Sequence, residues 1–188
     1  PRGLAEAFII ASGFVGADSA ALFLGDNILY GEGLPRTLQN TAAKKSGAAL
    51  FAYRVNNPSE FGVVEFNKEG KAISLEEKPS RPRSHFAVPG IYFYDNSVVA
   101  RAKNVKPSAR GELEITTINQ EYLEVGTLNV ELLGRGIAWL DAGTPQSLLE
   151  ACNFIASIQT RQGLQVACLE EVAYRCGFID RAQLMRIA

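Results

Sequence analysis

A chain of 188 residues with 47% hydrophobic residues, 21% charged residues and a formal net charge of −1 is long enough to bury a core of its own. It carries neither the basic surplus of a nucleic-acid binder nor a run approaching the roughly 18 apolar residues that cross a bilayer. Its three cysteines, Cys152, Cys168 and Cys176, are odd in number and lack metal-type spacing, so they read as reduced thiols of a cytoplasmic protein.

The opening residues Pro1-Arg2-Gly3 feed no apolar leader. Leu4, Ala7, Phe8 and Ala11 form a helical stripe from the very start. A chain that begins inside an element is expected to be a piece of a longer protein. Ala20–Leu24 is an apolar run of strand length that stops at Gly25-Asp26. An acid just past the carboxyl end of a buried parallel strand sits where open α/β sheets bind ligands. Ile28 to Pro35, with two glycines and a proline, reads as a loop, and Pro35 suits the first turn of a helix to about Lys45.

Ala48–Val55 is a second buried strand. Phe61–Phe66 and Ala72–Lys78 flank the turn Asn67–Gly70 as a hairpin. His85 follows a polar connector and reads as a solvated side chain. Phe86–Tyr94 is a strand in which Gly90 marks a bulge or a close backbone approach. Asp95-Asn96 caps a short helix, and Glu112–Val125 has helical spacing with Gly126 as its stop. Strands follow at Thr127–Leu133 and Ile137–Leu140. Thr144-Pro145 opens a helix ending near Gly163, and Asp180 caps the last helical piece. Strands alternating with helices predict an α/β layered fold with some antiparallel pairing. One domain is expected over residues 1–188, with 144–188 mostly helical.

Asp26 and Asp141 both end apolar strands. Two carboxylates of that kind suit Mg²⁺, which fills its remaining positions with water and phosphate oxygens. The helix after Thr144 could face a phosphate. In Glu76-Glu77-Lys78-Pro79, a carboxylate to accept from sugar hydroxyls stands beside a lysine to neutralise phosphate. In a regular strand Glu77 and Lys78 face opposite sides, so both reach one pocket only if the strand breaks before Pro79. Gly62 would allow backbone to approach a ligand. Arg110-Gly-Glu-Leu-Glu114 reads equally well as a helix lead-in.

The runs Leu24-Gly-Asp-Asn27, Phe61-Gly-Val-Val-Glu-Phe66, Ile73-Ser-Leu-Glu-Glu-Lys-Pro79, Gly90-Ile-Tyr-Phe-Tyr-Asp95, Gly111-Glu-Leu-Glu-Ile-Thr116 and Trp139-Leu-Asp-Ala-Gly-Thr144 together resemble the sugar nucleotidyltransferases, above all their branch that makes dTDP-glucose. The resemblance extends along essentially the whole chain. It implies a Rossmann-like three-layer sandwich with a mixed, mostly parallel sheet. It implies transfer of a thymidylyl group from dTTP to glucose 1-phosphate, with release of pyrophosphate, for dTDP-rhamnose and polysaccharide synthesis in a cytoplasmic homotetramer.

By the same resemblance Asp26 and Asp141 hold Mg²⁺, Lys78 contacts the sugar phosphate, and Glu77 holds sugar hydroxyls. Gly62, Val88 and Tyr92 line the sugar pocket, while Gly3 and Leu4 lie against the nucleotide base. Tyr30, Gly31, Glu171, Val172 and Arg175 match a regulatory nucleotide site. Phe61, Pro89, Thr117 and Ala142 depart from the family pattern. The family's glycine-rich nucleotide loop would lie upstream of Pro1, so this piece alone is expected to be nearly inactive. A binding module without catalysis, or a pyrophosphorylase of another base or sugar, remains an alternative.

Overall fold

The computed structural model describes residues 2–187. In chain order it forms α1 (Glu6–Ile10), α2 (Ser12–Val15), β1 (Ala20–Phe23), β2 (Asn27–Gly31), α3 (Leu34–Ala42), β3 (Ala48–Arg54), a 3-10 turn at Pro58–Glu60, β4 (Gly62–Phe66), β5 (Ala72–Glu77), β6 (Phe86–Ala87), β7 (Ile91–Tyr94), α4 (Ser97–Asn104), α5 (Ile115–Glu124), β8 (Leu128–Leu132), β9 (Ile137–Asp141), α6 (Pro145–Gln162), α7 (Leu169–Arg175) and α8 (Arg181–Ile187). Two compact units result, one ending at Leu140 and the other beginning at Asp141.

The first unit is α/β, built on a sheet ordered β1-β7-β3-β6-β4-β5 with β8 added beside β3. Its centre is β3, whose residues Ala48–Ala52 are all buried. The run Phe86–Tyr94 is interrupted rather than continuous. β7 pairs antiparallel with Ala48–Leu50 of β3, β6 pairs antiparallel with Tyr53–Arg54, and Val88-Pro89-Gly90 breaks the ladder between them. Pro89 has no N–H to give a neighbouring strand.

The expected mostly parallel sheet is corrected to a mostly antiparallel one. Among the described pairings only β3 with β8 is parallel, while β1–β7, β3–β7, β3–β6, β4–β6 and β4–β5 are antiparallel. Helix–strand alternation does not fix strand direction, because hairpin β4–β5 and the return through β6 and β7 insert reversed neighbours around β3. The reading of Ala20–Leu24 as a buried parallel strand is corrected likewise. β1 pairs antiparallel with β7 and alternates half-buried with exposed residues. The segment after Asp26 is not a loop: β2 pairs with β9 in a two-stranded sheet. Gly31 permits it, since a Cβ there would meet the Gly136 carbonyl oxygen at 2.5 Å.

The main core lies on the face where Phe8 of α1, Val98 and Ala102 of α4, and Ile118 and Tyr122 of α5 meet Leu50, Val64 and Tyr94. Burial of such apolar area, at about 25 cal/mol per Å², is the main favourable term holding these layers together. Asp95 ties the end of β7 to this face. Its Oδ2 accepts from Gly47 N at 2.7 Å, and its Oδ1 accepts from Ser97 N, Ser97 Oγ and Tyr122 Oη.

The second unit is helical after its first residues. Thr144 and Ser147 form a reciprocal capping box at the start of α6, and Gly163 ends it in the left-handed region at φ 68°. Asp180 Oδ1 accepts from Gln183 N at 2.7 Å at the head of α8. No described helix is long and apolar enough to cross a membrane.

Candidate functional site

The break at Val88–Gly90 is where the candidate residues gather. β1 and β4 lie on the same side of the 86–94 run. β1 ends against it with Phe23 opposite Ile91, and β4 starts against it with Val63 opposite Ala87. Two backbone bonds close the gap, Leu24 N to Gly90 O and Val88 N to Gly62 O, each 2.8 Å. The Gly25-Asp26 turn therefore leaves the sheet beside the start of β4, at a gap between two strands that run in the same direction. Gly90 is small for a steric reason: a Cβ there would lie 2.6 Å from Leu24 Cγ.

Gly62 stands opposite Glu77 in the β4–β5 ladder. A Cβ on Gly62 would touch Glu77 Oε2 and Thr116 Oγ1 at 3.5 Å and Val88 Cβ at 3.9 Å. The structure thus brings Gly62, Glu77 and Val88 together and adds Thr116, whose hydroxyl donates to Glu77 Oε2. Tyr92 is 5% exposed. Burial, then the charges of Glu77 and Asp26, push its phenol well above the usual tyrosine value. Tyr92 therefore stands within the field of both carboxylates, and a phenol so shifted stays protonated.

The strand break that Glu77 and Lys78 require is present. β5 ends at Glu77, and Lys78 takes φ +41°, one of two non-glycine positive φ values among the described residues. Its N–H donates to Phe61 O at 3.0 Å. Left-handed backbone on a non-glycine residue costs roughly 1–3 kcal/mol and clusters at functional sites. Lys78 is exposed and makes no ion pair among the described residues.

The segment Arg110–Glu114 does lead into α5, and it also brings Arg110 to Glu77. The guanidinium lies 3.6 Å from Glu77 Oε1, 3.5 Å from Glu114 Oε1 and 3.1 Å from Glu112 Oε1. Glu114 is buried and also accepts from Ser108 Oγ at 2.8 Å. This segment carries Gly3 and Leu4 with it. Leu113 N donates to Arg2 O at 2.6 Å and Ala5 N to Leu113 O at 3.1 Å. Gly3, at φ 128°, packs so closely that a Cβ would meet the Leu113 backbone at 2.5 Å.

Asp26 is exposed at the turn, and Asn27 Nδ2 donates to its Oδ1 at 2.8 Å. Asp141 opens the second unit, where its Oδ1 accepts from Gly143 N at 3.0 Å. No group of three or more His, Cys, Asp or Glu side chains among the described residues forms a preformed metal cage. The donor chemistry fits an ion held by one or two carboxylates that keeps water and takes phosphate oxygens, as Mg²⁺ does. Tyr30 and Gly31 lie in β2, and Glu171, Val172 and Arg175 lie in α7, where Arg175 Nη2 pairs with Glu171 Oε1 at 2.6 Å. His85 stays at the far end of β3, its Nδ1 3.2 Å from Val55 O.

Residues 1–158 match the nucleotidyl transferase family. The chain is 55% identical over all 188 residues to a glucose-1-phosphate thymidylyltransferase of Neisseria meningitidis, of which it covers 65%. It is 58% identical over 184 residues, 98% of its length, to one of Mycolicibacterium smegmatis, of which it covers 64%. A Bacillus anthracis protein assigned as a glucose-1-phosphate thymidylyltransferase and solved with sucrose superposes at a TM-score of 0.70. It is 42% identical, over 81% of this chain and 60% of that one. An apo UDP-glucose pyrophosphorylase at 20% identity and TM-score 0.69, over 86% of this chain and 62% of its own, shares the fold. The chain thus spans about 65% of the length of the curated relatives it matches.

Proposed function

Because the chain belongs to the nucleotidyl transferase family, we propose that it contributes the sugar-phosphate half of an active site that joins dTTP to glucose 1-phosphate, giving dTDP-glucose and pyrophosphate. The observation that carries this reading is the meeting of Gly62, Glu77 and Val88 at one sheet break, beside the turn that carries Asp26. Relatives above 50% identity that carry the thymidylyltransferase name support the choice of base and sugar.

Each side chain has a distinct part. Glu77 accepts hydrogen bonds from sugar hydroxyls, with Thr116 and Arg110 holding its carboxylate in place. Gly62 leaves room for the ring, and Val88 and Tyr92 form apolar wall. Lys78 offers its exposed ammonium to the sugar phosphate. A phosphate oxygen so held attacks the α-phosphorus of the nucleotide in line, and pyrophosphate leaves. The work of the protein is positioning and charge neutralisation rather than covalent chemistry. By the family resemblance, Asp26 and Asp141 are each assigned as a carboxylate ligand of Mg²⁺. When bound, that ion supplies charge neutralisation at the phosphate oxygens.

Gly3 and Leu4 are assigned to the base by resemblance, as are the regulatory nucleotide site of Tyr30, Gly31, Glu171, Val172 and Arg175, the homotetramer, the cytoplasmic location and the rhamnose pathway. The test is pyrophosphate release from dTTP, glucose 1-phosphate and Mg²⁺, measured on this chain and on the longest natural polypeptide that contains it. Release that needs both substrates and is lost in Glu77→Ala supports the reading. Binding of dTDP-glucose with no release from either polypeptide would point to a binding module instead.

A further inference from the structure

The turn after β1 ends in a side chain that no step above uses. Asn27 Oδ1 accepts two hydrogen bonds, from Gly90 N at 2.9 Å and from Trp139 Nε1 at 2.7 Å. Both partners are N–H groups that only donate. Both lone pairs of the oxygen are therefore committed, and the carboxamide cannot turn over without placing its NH₂ against two donors. Its Nδ2 is thereby aimed at Asp26 and donates to Oδ1 at 2.8 Å. The clamp itself is held on both sides. Trp139 meets the ring of Tyr53 edge-on at 5.7 Å and that of Phe61 at 5.0 Å, and the Leu24 side chain packs over Gly90, where a Cβ would lie 2.6 Å from its Cγ. Asp26, by contrast, is exposed and makes no ion pair among the described residues.

We propose that Asn27 is a positioning residue whose carboxamide, locked by Trp139 and Gly90, fixes the Asp26 carboxylate in the orientation that receives the divalent cation. The inference rests on the reading of Asp26 as a metal ligand. A free carboxylate on a turn samples several rotamers, and ordering it costs free energy at each binding event. A hydrogen bond that holds one carboxylate oxygen lowers that cost in advance. Loss of such outer-shell partners typically lowers metal affinity by about 10–100-fold.

A purely structural role is separable from this one. Asn27→Asp keeps an oxygen acceptor for both Gly90 N–H and Trp139 Nε1–H but replaces the donor that faces Asp26. Asn27→Ala removes everything. Trp139 is the one tryptophan of the chain, so its indole N–H gives a single reporter signal in a ¹H–¹⁵N spectrum. Mn²⁺ is the calorimetric probe. The expected results are an indole signal at its wild-type position in N27D, with Mn²⁺ affinity changed by about tenfold or more in N27D and lowered by about 10–100-fold in N27A. The Asn27 carboxamide signals are expected to shift in Asp26→Ala. Wild-type Mn²⁺ affinity in N27D, or carboxamide signals unmoved in D26A, would overturn the inference alone. Equal Mn²⁺ affinity in wild type and Asp26→Asn would overturn the metal reading, and this inference with it.

Discussion

Glu77 and Lys78 are neighbours in sequence on either side of a conformational break: Glu77 closes β5 in register with Gly62, and Lys78 leaves the strand at φ +41°. A regular strand would send their side chains to opposite faces. The break removes that constraint at the residue where the proposed chemistry needs a carboxylate and a cation together, and the backbone strain is a cost accepted for it. Lys78→Gly is expected to relieve the strain and leave the protein as stable as wild type or up to about 1 kcal/mol more so. Glucose 1-phosphate affinity should fall in the same variant. Lys78→Ala should lose the affinity without the relief. Urea denaturation and calorimetry on the two variants check both halves. Equal stability of the glycine and alanine variants would remove the strain argument.

Gly62 and Gly90 line the same break for different reasons, and alanine separates them. At Gly62 the new methyl would meet Glu77, Thr116 and Val88 at ordinary contact distances of 3.5–3.9 Å. Gly62→Ala should fold with a stability change below about 1 kcal/mol and bind glucose 1-phosphate at least about tenfold more weakly, because the methyl occupies ring space. At Gly90 the methyl would lie 2.6–2.8 Å from three Leu24 atoms. Gly90→Ala should cost about 1–3 kcal/mol as Leu24 is forced from its place. Thermal melts and ligand titrations of the two proteins distinguish a space reserved for ligand from a space reserved for packing.

The parts of this site that were legible in the sequence are those marked by local punctuation. The Gly25-Asp26 stop, the glycine at 62 and the Glu-Lys-Pro run each carry their signal within a few residues. Strand direction was not legible, because hydrophobic alternation is the same in parallel and antiparallel strands. β2 was hidden by Gly31, which looks like a loop former and instead admits the backbone of residues 136–137. The Asn27–Trp139 bond joins residues 112 apart, and the pairing of Arg110 with Glu77 depends on how the 108–114 segment docks. Neither leaves a periodic trace, although an arginine followed by carboxylates at 112 and 114 is a local signal of an ion-paired cluster.

Arg110 is the counter-charge for three carboxylates, Glu77, Glu112 and Glu114, at 3.1–3.6 Å. The side chains of Glu77 and Glu114 are 22% and 10% exposed, so removing the cation leaves negative charge in a poorly solvated place. Arg110→Met keeps most of the aliphatic stem. It is expected to free Glu77 and to weaken glucose 1-phosphate binding by about tenfold or more, since truncating one member of a partly buried charge cluster costs more than breaking a surface pair. Calorimetric titration at low and high salt checks this, with wild-type binding the more salt-sensitive of the two.

Asp95 predicts a pH dependence remote from the candidate site. Burial pushes its carboxyl up, but hydrogen bonds from Ser97, Tyr122 and Gly47 together outweigh burial and hold it below its ordinary value of 3.8. A carboxyl whose folded value lies below its unfolded one stabilises the fold at every pH above the unfolded value, and that stabilisation disappears as pH falls through the folded value. Asp95→Asn removes the charge and turns an NH₂ group either against Gly47 N–H or against the donors from Ser97 and Tyr122, so it should lower the melting temperature at pH 7. The charge-dependent part of the gap should stay constant from pH 7 to about 5 and narrow steadily below the ordinary value of 3.8. Melting curves of both proteins between pH 7 and 3 measure it. A gap that widened on acidification would mean that Asp95 binds its proton more tightly in the folded chain, contrary to the hydrogen bonds that converge on it.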